Sequence, residues 1–304
     1  MKNSVLFILL FIVYTSYAKA YGVNDTISVA DSTKSDSIVK PKYWLIKNNI
    51  TLNSDQNVYD NWESGGISSF SFSVFYRGSY NYKKNKTTWD NAVELGYGLL
   101  RQDVTEKGIL DKSNVFKKSD DKIELNSIFG YRAVKNWNYS GLINFKSQFD
   151  NGYKDGNLVS STLSPAVLTS SLGFEYKPRP YISTLFSFLT GKTTYVMVDS
   201  LAIPGNFGLE ARGDHFNFSL GSYIKVYFDK DIFKNIHMVS KLEFFYDYEK
   251  TSLLDTDINF ETLITMKVNK YISTFLNIQL VMNKDFNSKV QVKERFGISV
   301  PISF

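Results

Sequence analysis

Apolar and polar residues alternate along most of the chain from Tyr43 onward. In "HFNFSLGSYIKVYF" at 215–228, the even-numbered positions are mostly large and apolar, whereas the odd-numbered positions are mostly polar. "KIELNSIFGYRA" at 122–133 and "INFETLITMKV" at 258–268 show the same alternation. A period of two residues is typical of a β-strand with one apolar and one polar face.

The alternating segments number about twelve, near 43–53, 67–82, 88–102, 120–134, 137–150, 165–177, 181–195, 214–229, 236–249, 257–269, 271–284 and 291–304. The links after the even segments are short, such as "KN" and "NK", and several links after the odd segments are much longer, such as "DSLAIPGNFGLEARGD". This even count and this asymmetry predict an all-β fold, a transmembrane antiparallel β-barrel of about 12 strands over 43–304, with short periplasmic turns and longer extracellular loops. A soluble β-sandwich or lipocalin-like barrel fits less well, because its apolar faces must pack in a closed core.

Two groups of outward-facing residues support the membrane interpretation. Aromatic side chains beside the short turns predict a periplasmic girdle, made of Tyr80, Tyr82, Trp89, Tyr131, Trp137, Tyr139, Tyr176 and Phe228. The last strand alternates to the final residue and resembles the signal that the outer-membrane insertion machinery reads, with Phe296, Ile298, Val300, Ile302 and Phe304 on one face.

The opposite face of the strands carries charges of both signs. The residues predicted to line the lumen are Arg77, Glu94, Lys122, Glu124, Arg132, Glu175, Lys225, Lys241, Glu243, Glu261, Lys267, Lys293 and Arg295, with Asp90 and Asp247 nearby. Two arrangements are open. Charges sorted by sign would select ions in a pore, whereas paired charges would fill and rigidify a narrow barrel.

The first 42 residues differ from the rest. Residues 1–20 hold an early lysine, an apolar run and a small-x-small end, which predicts a signal peptide cleaved near Ala20. Residues 21–42 are polar and predict a flexible periplasmic arm. Together with the strand pattern, they predict location in the outer membrane of a Gram-negative bacterium.

Composition narrows the function classes. The 304 residues include no cysteine, so thiolate metal sites and cysteine nucleophiles are excluded. The formal net charge is +5, and it falls to +3 when Lys2 and Lys19 leave with the signal peptide. So small a surplus gives no argument for nucleic acid as a partner.

Three short motifs were candidates for chemistry. "TGKTT" at 190–194 lacks the earlier glycine of a phosphate-binding loop. "DTDINFE" at 255–261 spaces acids as in a calcium loop but has Phe260 where that loop needs glycine, so we expect ordinary carboxylates, with weak calcium binding as an alternative. His215, Asn217 and Ser219 are the residue types that outer-membrane phospholipases use, but the alternation places them in the lumen rather than toward lipid.

Several blocks carry a family resemblance, namely "NWESGG" at 61–66, "TTWDNAVELGYGLLRQ" at 87–102, "KSDDKIELNSIFGYRA" at 118–133, "NWNYSGLINFKSQF" at 136–149 and "LTGK" at 189–192. Together they resemble an uncharacterised outer-membrane β-barrel family of Bacteroidetes, catalogued as a domain of unknown function. Phe188 departs from the proline expected before "LTGK". The resemblance implies a location and a fold and supplies no catalytic residues.

The sequence therefore predicts an outer-membrane β-barrel without enzymatic chemistry, most readily a structural or accessory barrel. A small-solute channel is the alternative, and a barrel esterase or phospholipase at His215, Asn217 and Ser219 is a remote one. No cofactor or metal is expected. The expected partners are membrane lipid and lipopolysaccharide, the insertion machinery and other outer-membrane proteins.

Overall fold

The computed structural model describes residues 43–57, 69–102, 104–106, 109–111, 116–154 and 156–304. The predicted signal peptide and periplasmic arm lie outside these residues. The described chain forms sixteen strands, namely β1 (Trp44–Asn57), β2 (Ser69–Lys84), β3 (Thr87–Gln102), β4 (Val104–Glu106), β5 (Ile109–Asp111), β6 (Lys117–Val134), β7 (Trp137–Ser147), β8 (Gly152–Lys154), β9 (Asn157–Ser160), β10 (Ala166–Arg179), β11 (Ile182–Tyr195), β12 (Phe216–Phe233), β13 (Ile236–Asp247), β14 (Asp257–Lys267), β15 (Ser273–Asn283) and β16 (Asn287–Ser303).

Twelve of these strands close into one antiparallel barrel, in the order β1-β16-β15-β14-β13-β12-β11-β10-β7-β6-β3-β2. The predicted twelve-stranded barrel is confirmed. The remaining strands form two small hairpins, β4 with β5 and β8 with β9, within the long connections. A 3₁₀ turn, Leu253–Asp255, lies between β13 and β14. No helix among the described residues has the length and hydropathy to cross a membrane.

The two ends of the barrel differ in their connections. One end, here called the short-turn rim, holds the turns at 85–86, 135–136, 180–181, 234–235 and 268–272. In three of them an asparagine takes a left-handed backbone, with φ of 53° at Asn85, 66° at Asn136 and 64° at Asn235. Asparagine tolerates this conformation better than most residues, so a two-residue hairpin turn closes without strain. The other end is here called the loop rim.

Several details depart from the predicted strands. β1 ends at Asn57 rather than near 53, and β12 ends at Phe233 rather than near 229. The last strand begins at Asn287 rather than near 291, because Asn283 already pairs with Asn287, so a three-residue turn joins β15 to β16 at the loop rim. In β11 the register shifts between Ser187 and Thr190, and the adjacent Phe188 and Leu189 are both exposed, at 77% and 55%. A β-bulge of this kind turns two successive side chains to one face.

The barrel wall is apolar outside and mainly polar inside, where an apolar cluster of Leu142, Leu185, Tyr223 and Phe245 is also buried. Exposed outer positions include Leu172, Phe216 and Phe218, whereas many of the buried side chains are polar, such as Glu175, Asn144 and Thr190. A separate apolar cluster of Val196, Leu201, Ala202, Phe207 and Leu209 lies in the connection between β11 and β12, at the loop rim. The molecule therefore places its polar core in the lumen, where the charged residues meet.

Candidate functional site

Two ion pairs cross the lumen between strands on opposite sides of the barrel. Lys241 Nζ on β13 lies 2.5 Å from Glu94 Oε1 on β3, and Lys122 Nζ on β6 lies 2.8 Å from Glu261 Oε2 on β14. In each case the two strands are six positions apart in the ring of twelve. Side chains from facing walls therefore meet in the middle of the barrel.

Three carboxylates converge on one ammonium group at this level. Oxygens of Glu94, Glu124 and Glu261 lie within 4.8 Å of one another, close enough to hold a metal ion. Lys122 Nζ lies 2.8, 3.1 and 2.8 Å from these three carboxylates, in that order. Lys241 lies 2.5 Å and Arg77 3.3 Å from Glu94 as well, so three cationic groups balance the three acids and the donor set does not call for a metal ion.

A second group lies around Glu243 of β13. Lys225 Nζ lies 3.2 Å away, the hydroxyl of Tyr223 donates to Glu243 over 3.0 Å, and Lys146 of β7 pairs with the same carboxylate. Lys225 also donates to Asn126 of β6 over 2.8 Å. The bonds of Lys146 to Glu243 and of Lys225 to Asn126 join β13 to β7 and β12 to β6, each four positions apart in the ring, so they add a second layer of polar contacts in the lumen.

A third group lies next to the seam between β1 and β16. Arg295 Nη1 lies 3.1 Å from Asp120, its Nη2 donates to Ser73 over 2.8 Å, and its guanidinium lies 5.3 Å from the ring centroids of both Phe75 and Phe275. Lys293 Nζ contacts the same Asp120 at 2.7 Å. One arginine thus links β16 to β2 across β1, and to β6 beyond them.

The predicted lumen residues do not all take part. Glu175 pairs with Lys177 at 3.0 Å, and Lys177 also reaches Asp90 at 2.6 Å. Arg132 and Lys267 instead lie exposed at strand ends on the short-turn rim. Sequence reasoning missed Asp120, Lys146 and Lys177, although the alternation places each of them on the same face as the lumen residues of its strand.

The loop rim carries a folded cover built from the connection at 196–215. The hydroxyl of Ser164 accepts hydrogen bonds from the backbone N–H groups of Met197 and Val198, at 2.8 and 3.2 Å. On another side of this connection, the ring of Phe207 contacts that of Phe286 in the β15–β16 turn, with centroids 5.1 Å apart. The connection thus reaches from the β7–β10 loop to the β15–β16 turn and lies over part of the mouth.

Two of the three residues considered for an esterase, His215 and Asn217, help to hold this cover. His215 Nδ1 lies 2.6 Å from the carbonyl oxygen of Val196, and Asn217 donates to the carbonyl of Phe207 over 3.4 Å. Ser219 is buried. Within the part of the chain that the structure describes, no hydrogen bond joins His215 or Asn217 to Ser219.

The other two motifs are occupied by ion pairs. Lys192 of "TGKTT" lies in a strand and contacts Asp257 at 2.5 Å, and its ammonium lies over the ring of Phe245. Asp255 pairs with Lys284, and Glu261 with Lys122. The acids of "DTDINFE" therefore point to three different lysines rather than to a common centre.

Several residues of the predicted girdle and of the last strand are exposed. Trp89, Tyr131 and Tyr139 are exposed near the short-turn rim, and the indole rings of Trp44 and Trp89 lie 6.0 Å apart. The apolar residues of the last strand are exposed in the same way, namely Phe296, Ile298, Val300, Ile302 and Phe304. Recognition of this strand by the insertion machinery stays a prediction.

Solved structures and one family model are similar to this chain. No curated protein matches the chain. Among solved structures, the COG4313 outer membrane channel from Pseudomonas putida F1 is similar with a TM-score of 0.39 at 10% identity, over 90% of this chain and 99% of that one. The translocator domain of the autotransporter NalP from Neisseria meningitidis is similar with a TM-score of 0.33 at 9% identity, over 86% and 90% of the two chains.

A third similar structure is a deletion mutant of the TodX monoaromatic hydrocarbon channel, with a TM-score of 0.36 at 10% identity, over 87% of this chain and 85% of that one. Scores and identities of this size transfer no function to this chain. The matching family is described as "Protein of unknown function (DUF3078)", and residues 54–153 of this chain are similar to it.

Proposed function

We propose that this protein is an integral outer-membrane β-barrel with a filled lumen, which serves as a structural or accessory barrel of that membrane. The observation that carries the proposal is the meeting of side chains from opposite walls, Lys241 with Glu94 and Lys122 with Glu261. In a pore these carboxylates and ammonium groups would line the walls and leave the axis to water and solute. Here they occupy the axis.

The membrane location rests on the outer wall. Large apolar side chains are exposed around the barrel, for example Ile143 on β7, Leu172 on β10 and Phe218 on β12, at 57%, 64% and 62%. Soluble monomers rarely leave so continuous an apolar surface in water. A lipid bilayer would cover it, and the closed barrel leaves no strand edge to lipid along its paired strands.

We assign no enzymatic role to the chain. The hydrogen bonds of His215 and Asn217 go to the backbone of the loop-rim cover, which gives both residues a structural task. From the sequence alone, we also propose that the signal peptide is removed near Ala20. The proposed partners of the mature protein are the insertion machinery, lipopolysaccharide and other outer-membrane proteins.

Single-channel recording in a planar bilayer tests the proposal. The mature chain, refolded and shown to be inserted, should give no steady conductance, while an open porin in the same bilayer conducts. A version lacking residues 21–42 should also be silent, because the block lies in the barrel. A double variant, Lys122→Ala with Lys241→Ala, should conduct, because it removes the two ammonium groups that cross the axis.

A small-solute channel is the second candidate, because the lumen wall is polar and its ion pairs are not covalent. Steady conductance of the unaltered protein would contradict the filled barrel and favour this channel. Conductance only after removal of residues 21–42 would place the block in that segment and would also contradict the proposal. Silence of the double variant, if it is inserted, would show that other side chains fill the lumen.

A further inference from the structure

Basic residues accompany tyrosines at the short-turn rim. The ammonium of Lys84 lies 4.9 Å from the ring centroid of Tyr43, that of Lys230 lies 4.4 Å from Tyr181, and that of Lys270 lies 4.7 Å from Tyr271. These three lysine–tyrosine pairs occur at three different places around one end of the barrel. The arrangement is therefore a repeated feature of this rim.

The lysines of these pairs keep their charge available. Among the described residues, the ion pairs at this rim are made by Lys177 and His237, and none of them involves Lys84, Lys230 or Lys270. A lysine ammonium has three N–H donors, and contact with a ring face leaves donors free for another acceptor. Each pair is thus suited to an anion.

The first pair borders a groove on the outer wall. The groove is lined by Tyr82, Lys84, Asn85, Lys86, Thr87 and Tyr131. Tyr82, Thr87 and Tyr131 belong to the outward-facing positions of their strands, and Tyr82 packs against Trp44 with ring centroids 5.1 Å apart. The groove therefore opens toward the bilayer at the level of the aromatic girdle, with two lysines at its edge.

We propose that this groove binds the phosphate of an anionic glycerophospholipid, and that the other two lysine–tyrosine pairs are weaker sites of the same kind. The inference rests on the proposed membrane location. The two lysines provide the charge that an anionic headgroup requires, and the neighbouring tyrosine and tryptophan rings provide an apolar surface for the first part of the acyl chains. The ligand lies in the periplasmic leaflet, next to the short turns.

Tryptophan quenching by brominated lipid tests the site, because Trp44 and Trp89 lie beside it. The full mature protein is refolded into phosphatidylcholine vesicles that contain either brominated phosphatidylglycerol or brominated phosphatidylcholine. We expect stronger quenching by the brominated phosphatidylglycerol. In Lys84→Gln and in Lys86→Gln the relative affinity for phosphatidylglycerol should fall about fivefold for each lysine removed.

The matched control is Lys117→Gln with Lys154→Gln, which removes two exposed lysines at the loop rim and should leave the lipid preference unchanged. Equal quenching of the unaltered protein by the two lipids would overturn the lipid site but leave the membrane location intact. Absence of quenching by both lipids would overturn the membrane location itself. Reversal of the preferential quenching by added inorganic phosphate, but not by sodium chloride of the same ionic strength, would support recognition of the lipid phosphate in the groove.

Discussion

The outer face and the lumen face of the same wall place opposite demands on the sequence. On β13, Leu242 and Phe244 face outward. The alternate residues Lys241 and Glu243 face the lumen and pair with charges on other strands. The outer face needs only apolar side chains, because any lipid chain can contact any of them. The lumen needs particular partners, because each buried charge requires an opposite charge or a donor within reach.

The largest expected effect of a single substitution is in the lumen. Glu94→Gln removes the charge that Lys241, Lys122 and Arg77 share, at 2.5, 2.8 and 3.3 Å. Leaving buried ammonium groups short of a partner should lower the free energy of unfolding by about 3–5 kcal/mol. Reversible guanidinium unfolding of the barrel in micelles measures this change.

The double variant Glu94→Gln with Lys241→Met is the control. It removes the carboxylate together with one of the ammonium groups that would otherwise lose their acidic partner. It should recover part of the lost stability. A double variant that is less stable by the sum of the two single losses would mean that Glu94 and Lys241 do not interact.

The next effect concerns the outer face. Val226→Lys places an ammonium near the middle of the outward side of β12 and should lower the free energy of unfolding in lipid by about 2–4 kcal/mol. Asn259→Lys is the matched lumen change, and it should be mild because Asn259 donates to Glu243 over 3.1 Å, where a lysine finds an acidic partner. Equal losses at both positions would contradict the assignment of faces.

A smaller effect is expected at Arg295, in the lumen beside the seam between β1 and β16. Arg295→Lys keeps the charge but loses the planar group that contacts Asp120, Ser73 and two phenylalanine rings. We expect a loss of about 1–2 kcal/mol in the same unfolding measurement. An unchanged midpoint would show that charge alone is what this position supplies.

The smallest effect is expected in the turn between β2 and β3, which belongs to neither face of the wall. Asn85→Ala should cost about 1 kcal/mol, because alanine is strained at a φ of 53°, whereas Asn85→Gly should be neutral within a few tenths. Hydrogen exchange of the amides next to the β2–β3 turn would detect the local loosening in the alanine variant. Equal protection in both variants would mean that the flanking strands, rather than this turn, set the local stability.

The fold could be predicted from the sequence because a period of two residues reports directly on a wall with two different sides. The alternation identified the twelve barrel strands, and the lengths of the links distinguished the two rims. It failed locally at Phe188 and Leu189, where a bulge sends two neighbouring side chains to one face. It also placed the start of the last strand too late, because 287–290 shows little alternation and pairing with β15 extends the strand.

The candidate site could be predicted only in part. The pattern identified Glu94 and Lys241 as lumen residues, but they are 147 positions apart in sequence, and only the closed ring brings their strands to opposite sides of one axis. The same applies to Lys122 and its three carboxylates. The loop-rim cover was not predicted either, because Val196, Leu201 and Phe207 follow no strand period.

The seam between β1 and β16 has a consequence for assembly. Residues 49–54 pair with residues 298–303, so closure joins segments separated by some 250 positions, as in the contact of Asn49 with Ser303. The other ladders of the barrel join strands that are consecutive in it and can form as successive hairpins. Closing so long a loop costs conformational entropy, so this pairing forms late in folding. Until it forms, the curved sheet has two edges with unpaired backbone N–H and C=O groups. Pairing of β1 with β16 should therefore be the last step of folding, and a variant that weakens this seam should slow refolding more than one that weakens any single hairpin.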